Sequence, residues 1–275
     1  MTGIGLRQLR ACGILGLALA GLGYAQDRTL SVDSGRPLDE AVAQLQARYG
    51  WLITYQDPPY EHPDDMEPSK DAGPKAPRNG FIAPRHRRIS VTYPEPRTGT
   101  DEERRKIIDG VVESFSAAGA GHFRVYHQWI FSHVVPTSVK RVSGAVESVT
   151  SLCDSTVTMS PAKRSIGDSV TEILSQVSQQ MGRPAIIAMV DPNFILGRQY
   201  LTEAQNENAC DALTLVFEDV NGVRNALGFS SSHVAWAMRY DIATKTYYFN
   251  VGPVPTPAPS QGPHIGHAVP WPVEK

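Results

Sequence analysis

One pattern occurs twice in this 275-residue chain, and it limits the possible folds more than any other feature of the sequence. The first copy spans residues 36–58 and the second spans 164–192. Each copy begins with an arginine and continues with an apolar stripe, a glycine, a mainly apolar run and an Asp-Pro pair. The stripes have four-three-four spacing and consist of Leu38, Val42, Leu45 and Tyr49 in one copy and Ile166, Val170, Ile173 and Val177 in the other. Because this spacing marks one face of an α-helix, each copy predicts a helix followed by a strand.

The residues that follow each copy also correspond. After the first copy, the sequence predicts a strand, a helix whose cap is Thr100 with Glu103 in a capping box, and two more strands. The strands are Arg88–Tyr93, Phe123–Tyr126 and Trp129–Val135, and the helix ends near Gly119. After the second copy, the same order is predicted at Gln199–Thr202, at a helix of about 207–219, and at Val234–Tyr240 and Thr246–Val251. The sequence therefore predicts an α+β fold of two tandem β-α-β-β-α-β-β modules, each with two helices packed on small mixed sheets.

This order, together with the motif PLDEAV…L…YG…ITY…DP, resembles the secretin and TonB short N-terminal domain family. The resemblance covers residues 28–135 and, more loosely, 155–252. It implies a small periplasmic α/β module that binds other protein domains or packs into rings, with no enzymatic activity. The chain departs from the family in carrying a long proline-rich insertion, which leaves the partner open.

The N-terminal 25 residues have the composition of a secretory signal peptide. Arg7 and Arg10 form a basic region, residues 11–23 are small and apolar, and Gly23-Tyr24-Ala25 offers a cleavage site. The alternative, a membrane anchor, needs about 20 apolar residues, and this run is shorter. We therefore expect a periplasmic or secreted protein with no membrane span after cleavage.

The remaining chain divides by composition. We expect a first module at 26–136 with a proline-rich insertion at 57–84, a linker at 137–154, a second module at 155–252 and a disordered proline-rich tail at 253–275. The net charge of −2 is mildly acidic, and this gives no support to nucleic-acid binding.

Two cysteines, Cys153 and Cys210, lie outside the signal region. An even pair in an oxidising compartment is consistent with a disulfide. Two separate buried thiols fit the sequence equally well, so the residues leave both alternatives open.

Histidines are the best candidates for chemistry, and His122, His127 and His133 cluster in one stretch. Their spacing lacks the close pairs of common zinc sites, and half-exposed strand histidines explain them better. No nucleophile elbow and no phosphate-binding glycine loop occurs. We therefore expect no catalytic residue, no metal and no cofactor; the alternative is a secreted hydrolase or metal-dependent enzyme that uses these histidines.

The sequence favours an exported, non-enzymatic module of the cell envelope that binds a partner protein. An open strand edge or the proline-rich insertion is the expected contact, because an unpaired edge accepts a partner strand. The residues expected on this surface are Arg88, Ser90 and Thr92 on the predicted strand, and Tyr60, Asp64 and Asp65 on the insertion.

Overall fold

A computed structural model describes residues 27–69, 81–190, 199–226 and 233–257. Its architecture is mixed α+β, which confirms the predicted fold class. The elements of the first half (27–140) are β1 (Asp27–Ser34), α1 (Pro37–Tyr49), β2 (Leu52–Gln56), β3 (Met66–Pro68), β4 (Ile82–Pro84), β5 (Arg87–Pro94), α2 (Asp101–Phe115), β6 (His122–Gln128) and β7 (Phe131–Lys140).

A short strand, β8 (Val146–Ser148), leads into the second half (156–253). Its elements are β9 (Thr156–Ser165), α3 (Ile166–Met181), β10 (Ala185–Val190), β11 (Gln199–Asn208), α4 (Ala209–Ala226), β12 (Val234–Asp241) and β13 (Thr246–Pro253). Without the small β3–β4 pair, both halves have the element order β-α-β-β-α-β-β.

The two helices that the repeated pattern predicts are α1 and α3. Their apolar stripes are buried, except that Tyr49 at the end of α1 is only partly buried. Pro37 occupies the first turn of α1, where its missing N–H costs nothing. Gly50 and Gly182 end the helices in the left-handed conformation, at φ 67° and 64°, which favours glycine.

Helix α2 begins at the predicted cap, but the reciprocal half of the capping box is shifted. Thr100 Oγ1 accepts a hydrogen bond from Glu103 N at 3.3 Å, as expected. The Glu103 carboxylate instead accepts bonds from the backbone N–H groups of Arg97, Thr98 and Gly99. These bonds lower the pKa of Glu103 to about 2. The side chain therefore closes the loop before the helix as well as supporting its first turn.

The strands of the two halves form one sheet. The strand order is β10-β13-β12-β2-β7-β6, and β8 pairs with β7 beside this path. Strands β12 and β2 join in parallel, with Ala237 opposite Tyr55 and Met238 opposite Gln56. The expectation that each half has its own separate sheet is wrong in this respect, because periodicity does not report which edges meet. That the halves are two tandem modules stays a prediction.

Each half adds a two-stranded antiparallel ribbon, β1–β5 in the first and β9–β11 in the second. The helices lie between their ribbon and the sheet, since α1 contacts β1 and β2 and α3 contacts β9 and β10. Ile53 and Val134 pack with α1 and α2, whereas Leu52 and Val135 pack with α3 and α4. Because successive residues of a strand point to opposite faces, the two helix pairs lie on opposite faces of the sheet.

Three of the expected irregular regions contain more structure than composition indicated. In the insertion at 57–84, the described ends form a turn at Pro63–Asp65 and the β3–β4 pair. The expected linker at 137–154 begins with the last residues of β7 and includes β8. In the expected tail at 253–275, β13 runs to Pro253 and Val254 is 2% exposed. These segments gain order from strand pairing, local for β3–β4 and β7–β8 and long-range for β13 with β10, which composition does not show.

The expected signal peptide at 1–25, the middle of the insertion at 70–80 and most of the tail lie outside the described residues. None of the helices in the described ranges has the length and apolar character needed to cross a membrane.

Candidate interaction surface

His133 lies in the core and not on a half-exposed strand face. Its side chain is fully buried, with Nδ1 2.7 Å from Thr54 Oγ1 and Nε2 3.2 Å from Thr214 Oγ1. Its ring stacks between Phe131 and Trp236. Burial, with a smaller contribution from His127, lowers the pKa of His133 to about 3, so the imidazole is neutral at pH 7. His133 therefore joins the two halves as a packing residue.

His127 lies between a serine and an aspartate. Its Nδ1 is 2.9 Å from Ser132 Oγ on β7, and its Nε2 is 3.0 Å from Asp109 Oδ1 on α2. This order resembles a Ser-His-Asp triad, but Ser132 is fully buried. His122 lies apart from this group, exposed at the start of β6. The three histidines therefore enter three different environments and do not converge on one cleft.

The described residues show no group of three His, Cys, Asp or Glu side chains that could hold a metal ion.

The expected surface on β5 is exposed and polar. Arg88, Ser90 and Thr92 point away from the core, while the alternate residues of the strand are buried. Arg88 forms two hydrogen bonds with Asp33 of β1, the shorter at 2.7 Å. Strand β1 covers one edge of β5, and no other described strand pairs with the second edge. The predicted strand edge is therefore present on β5, but the exposed face of this strand is polar.

The expected surface on the insertion is largely engaged in contacts with the first half. The Tyr60 hydroxyl donates to Asp57, Asp65 forms an ion pair with Arg87 at 2.8 Å, and Asp64 forms one with Lys140 at 3.1 Å. These contacts border a half-open pocket of about 250 Å³ whose lining includes Pro58, Pro59 and Val139. Asp64 is the member of this surface that stays well exposed, at 66% of its side chain.

Asp57 holds the insertion and both halves together. Its carboxylate is fully buried and lies 2.6 Å from Arg36 Nε. It accepts further hydrogen bonds from the hydroxyls of Tyr55 and Tyr60 and from the backbone N–H of Tyr240. Arg36 also donates to the Tyr240 carbonyl at 2.9 Å. Burial and the Asp57 charge raise the pKa of both Tyr55 and Tyr60, so these hydroxyls stay protonated and keep donating.

The second half offers an edge that sequence reasoning did not single out. Strand β10 pairs with β13 on one side, and no other described strand pairs with its second edge. A groove of about 600 Å³ runs between α3 and β10, over the apolar side chains of Leu174, Ala185 and Ile187. Ile186 also lines this groove and is 48% exposed. An apolar-floored groove beside an open strand edge has the geometry that strand addition requires.

The second half also contains a covalent link to the segment before β9. Cys153 and Cys210 are joined in a disulfide, with their Cα atoms 4.9 Å apart. The bond connects the turn before β9 to the first turn of α4. It therefore fixes the start of α4 close to the segment that links the halves.

No family model matches this chain, and no curated protein and no solved structure is significantly similar to it.

Proposed function

We propose that this protein is an exported, non-enzymatic interaction module of the cell envelope. It binds a partner protein by accepting an extended segment of that partner along the unpaired edge of β10. The observation that carries the proposal is the groove between α3 and β10, because its apolar floor lies next to an edge with which no strand of the described ranges pairs.

Two features support β10 over the edge of β5. The β5 strand belongs to a two-stranded ribbon whose outer face is polar, and its Arg88 is already paired with Asp33. The β10 edge ends the central sheet and carries two apolar side chains that line the groove, Ile186 and Ile187. Backbone pairing supplies affinity in strand addition, and pockets for alternate side chains supply selectivity.

The test is comparative capture from an envelope extract. The bait variant Ile186→Lys places a charge at the β10 edge, which discourages strand pairing. Leu201→Lys is the matched control, since Leu201 is also an exposed apolar residue, on β11. We expect wild-type protein and Leu201→Lys to retain the same partner and Ile186→Lys to lose it. Equal capture by all three, or no specific capture by wild-type protein, would contradict the proposal.

One observation favours the hydrolase alternative, namely the position of His127 between Ser132 and Asp109. Labelling with a fluorophosphonate tests it directly, because this probe modifies an activated serine. We expect no adduct on Ser132, since a fully buried hydroxyl does not meet the reagent. A stoichiometric adduct on Ser132 would favour the hydrolase.

A further inference from the structure

The two halves place equivalent strands in the same order across the sheet. The strand order β10-β13-β12 in the second half corresponds to the strand order β2-β7-β6 in the first. In both, the first two strands are parallel and the third is antiparallel to its neighbour. Because β12 and β2 are parallel, all equivalent strands run in opposite directions. The halves are therefore related by a half-turn about an axis across the strands, plus a shift of three strands.

This relation makes the two ends of the sheet complementary. At the internal junction, the outer edge of β12 meets the outer edge of β2. At the ends, β6 is the equivalent of β12 and β10 is the equivalent of β2. Neither β6 nor β10 pairs on its outer side with any strand of the described ranges. Each molecule thus offers, at opposite ends, the two edges that already pair within it.

We infer that β6 of one copy pairs in parallel with the β10 edge of a second copy. The contact repeats the internal junction and is head-to-tail. The first copy keeps its β10 edge and the second copy keeps its β6 edge, and each can pair with a further copy. A repeated half-turn with a shift does not return to its starting point, and the product is an open chain of molecules. This inference rests on the proposed use of the β10 edge and identifies the partner as this chain itself.

The internal junction also gives the register. Ala237 faces Tyr55 across it. By their pairing with equivalent residues of β7 and β13, Arg124 occupies the position of Ala237 in the other half, and Ile187 occupies the position of Tyr55. Ile187 also precedes the irregularity in β10, so the register holds there. Arg124 of one copy should therefore face Ile187 of the next.

The contact between copies is weaker than the internal one. Arg36 and Asp57 fasten the internal junction to Tyr240. Arg164, the equivalent of Arg36, instead bonds to Glu172 at 3.0 Å within its own half. The contact between copies lacks these bonds and should be the weaker of the two; because it joins separate molecules, it also depends on protein concentration.

Cysteine cross-linking tests the pairing. Two full-length proteins, Arg124→Cys and Ile187→Cys, are mixed and oxidised mildly, and peptide mapping checks that the native disulfide is unchanged. We expect a disulfide-linked heterodimer in the mixture and little homodimer from either protein alone. The control is Arg124→Cys mixed with Ser90→Cys, which places the second thiol on the exposed face of β5 and should give little heterodimer. Absence of the Arg124→Cys–Ile187→Cys heterodimer, or homodimers as abundant as the heterodimer, overturns the inference. If either variant melts early, Phe123→Cys and Ile186→Cys, one residue back in the same register, replace the pair.

Sedimentation velocity separates this inference from the proposed function. Wild-type protein should show a weight-average sedimentation coefficient that rises with concentration, and Ile186→Lys should stay monomeric. If wild-type protein is monomeric at all concentrations but still captures a different protein through Ile186, self-pairing is wrong and the proposed function stands. If Ile186→Lys changes neither self-association nor capture, both are wrong.

Discussion

At the scale of single residues, Asp57 shows what the sequence could not reveal. The Asp-Pro pair marks the end of a strand, and its position was predicted from local pattern alone. Its partners were not predictable, because Arg36 is 21 residues away and Tyr240 is 183 residues away. The same holds for His133, whose two threonine partners lie on β2 and α4. The residue types showed that these side chains can form hydrogen bonds or ion pairs. Their positions in the fold determined which distant residues they contact.

Replacement of Asp57 by asparagine tests its role as a latch. Removing the charge leaves Arg36 without its buried partner, and breaking such a pair costs roughly 3 kcal/mol of unfolding free energy. Asp33→Asn is the control, since its ion pair with Arg88 is exposed and contributes less than about 1 kcal/mol. Urea denaturation at pH 7 measures both values. Similar losses for the two variants would show that Asp57 is not a latch.

Histidine 133 should make stability depend on pH. Its folded-state pKa of about 3 lies below the unfolded value, so the unfolded chain takes up the proton first. The contribution is fully present above about pH 6.5 and is lost as the pH falls towards 3. Between pH 7 and 5, we expect a loss of roughly 2 kcal/mol from this residue. In urea denaturation, His133→Gln should reduce that loss, and the exposed-site control His122→Gln should retain it.

At the scale of elements, helices were easier to predict than strand partners. The stripe and closing glycine of α1 and α3 are contained in about fifteen consecutive residues, so the sequence specified both helices. The opening strands β1 and β9 were implied only by the order of the module. The β10 edge was missed because whether an edge is open depends on strands far away in the sequence. The proposed binding edge of β10 is therefore a feature that the local sequence pattern does not predict.

The cap of α2 is a local feature that can be tested locally. Thr100→Ala removes the side-chain acceptor for Glu103 N, and loss of such a cap costs about 1 kcal/mol. Ser114→Ala is the control on the same helix, because its hydroxyl only bonds back to Gly110 and alanine is the better helix former. Guanidinium denaturation of the two variants should separate them by about this amount. Equal midpoints would mean that Glu103 alone secures the helix start.

At the scale of the whole molecule, the disulfide and the shared sheet make the second half depend on the connection between the halves. The bond between Cys153 and Cys210 closes a loop that contains β9, α3, β10 and β11. It therefore constrains the elements that form the proposed binding groove.

Replacing both cysteines by alanine should destabilise this protein. Opening a loop of this length costs roughly 4 kcal/mol in the chain-entropy model. Non-reducing mass spectrometry of the native protein checks the bond, and denaturation of the double variant measures the loss. Denaturation of the reduced wild-type protein, which lacks the bond but keeps both side chains, separates the loss of the bond from the loss of buried packing. Two freely alkylated thiols in the oxidised native protein would contradict the bond.

The parallel pairing of β2 with β12 has a consequence for synthesis. The N-terminal half leaves the ribosome first, and Asp57 precedes Tyr240 by 183 residues. At translation rates of about 5–20 residues per second, β2 waits roughly 10–40 seconds for its neighbour. During that time the nascent first half displays the edge of β2 that β12 later covers, and a chain that stops before β12 displays this edge permanently. Truncated products of this protein are therefore aggregation hazards even when the first half is complete.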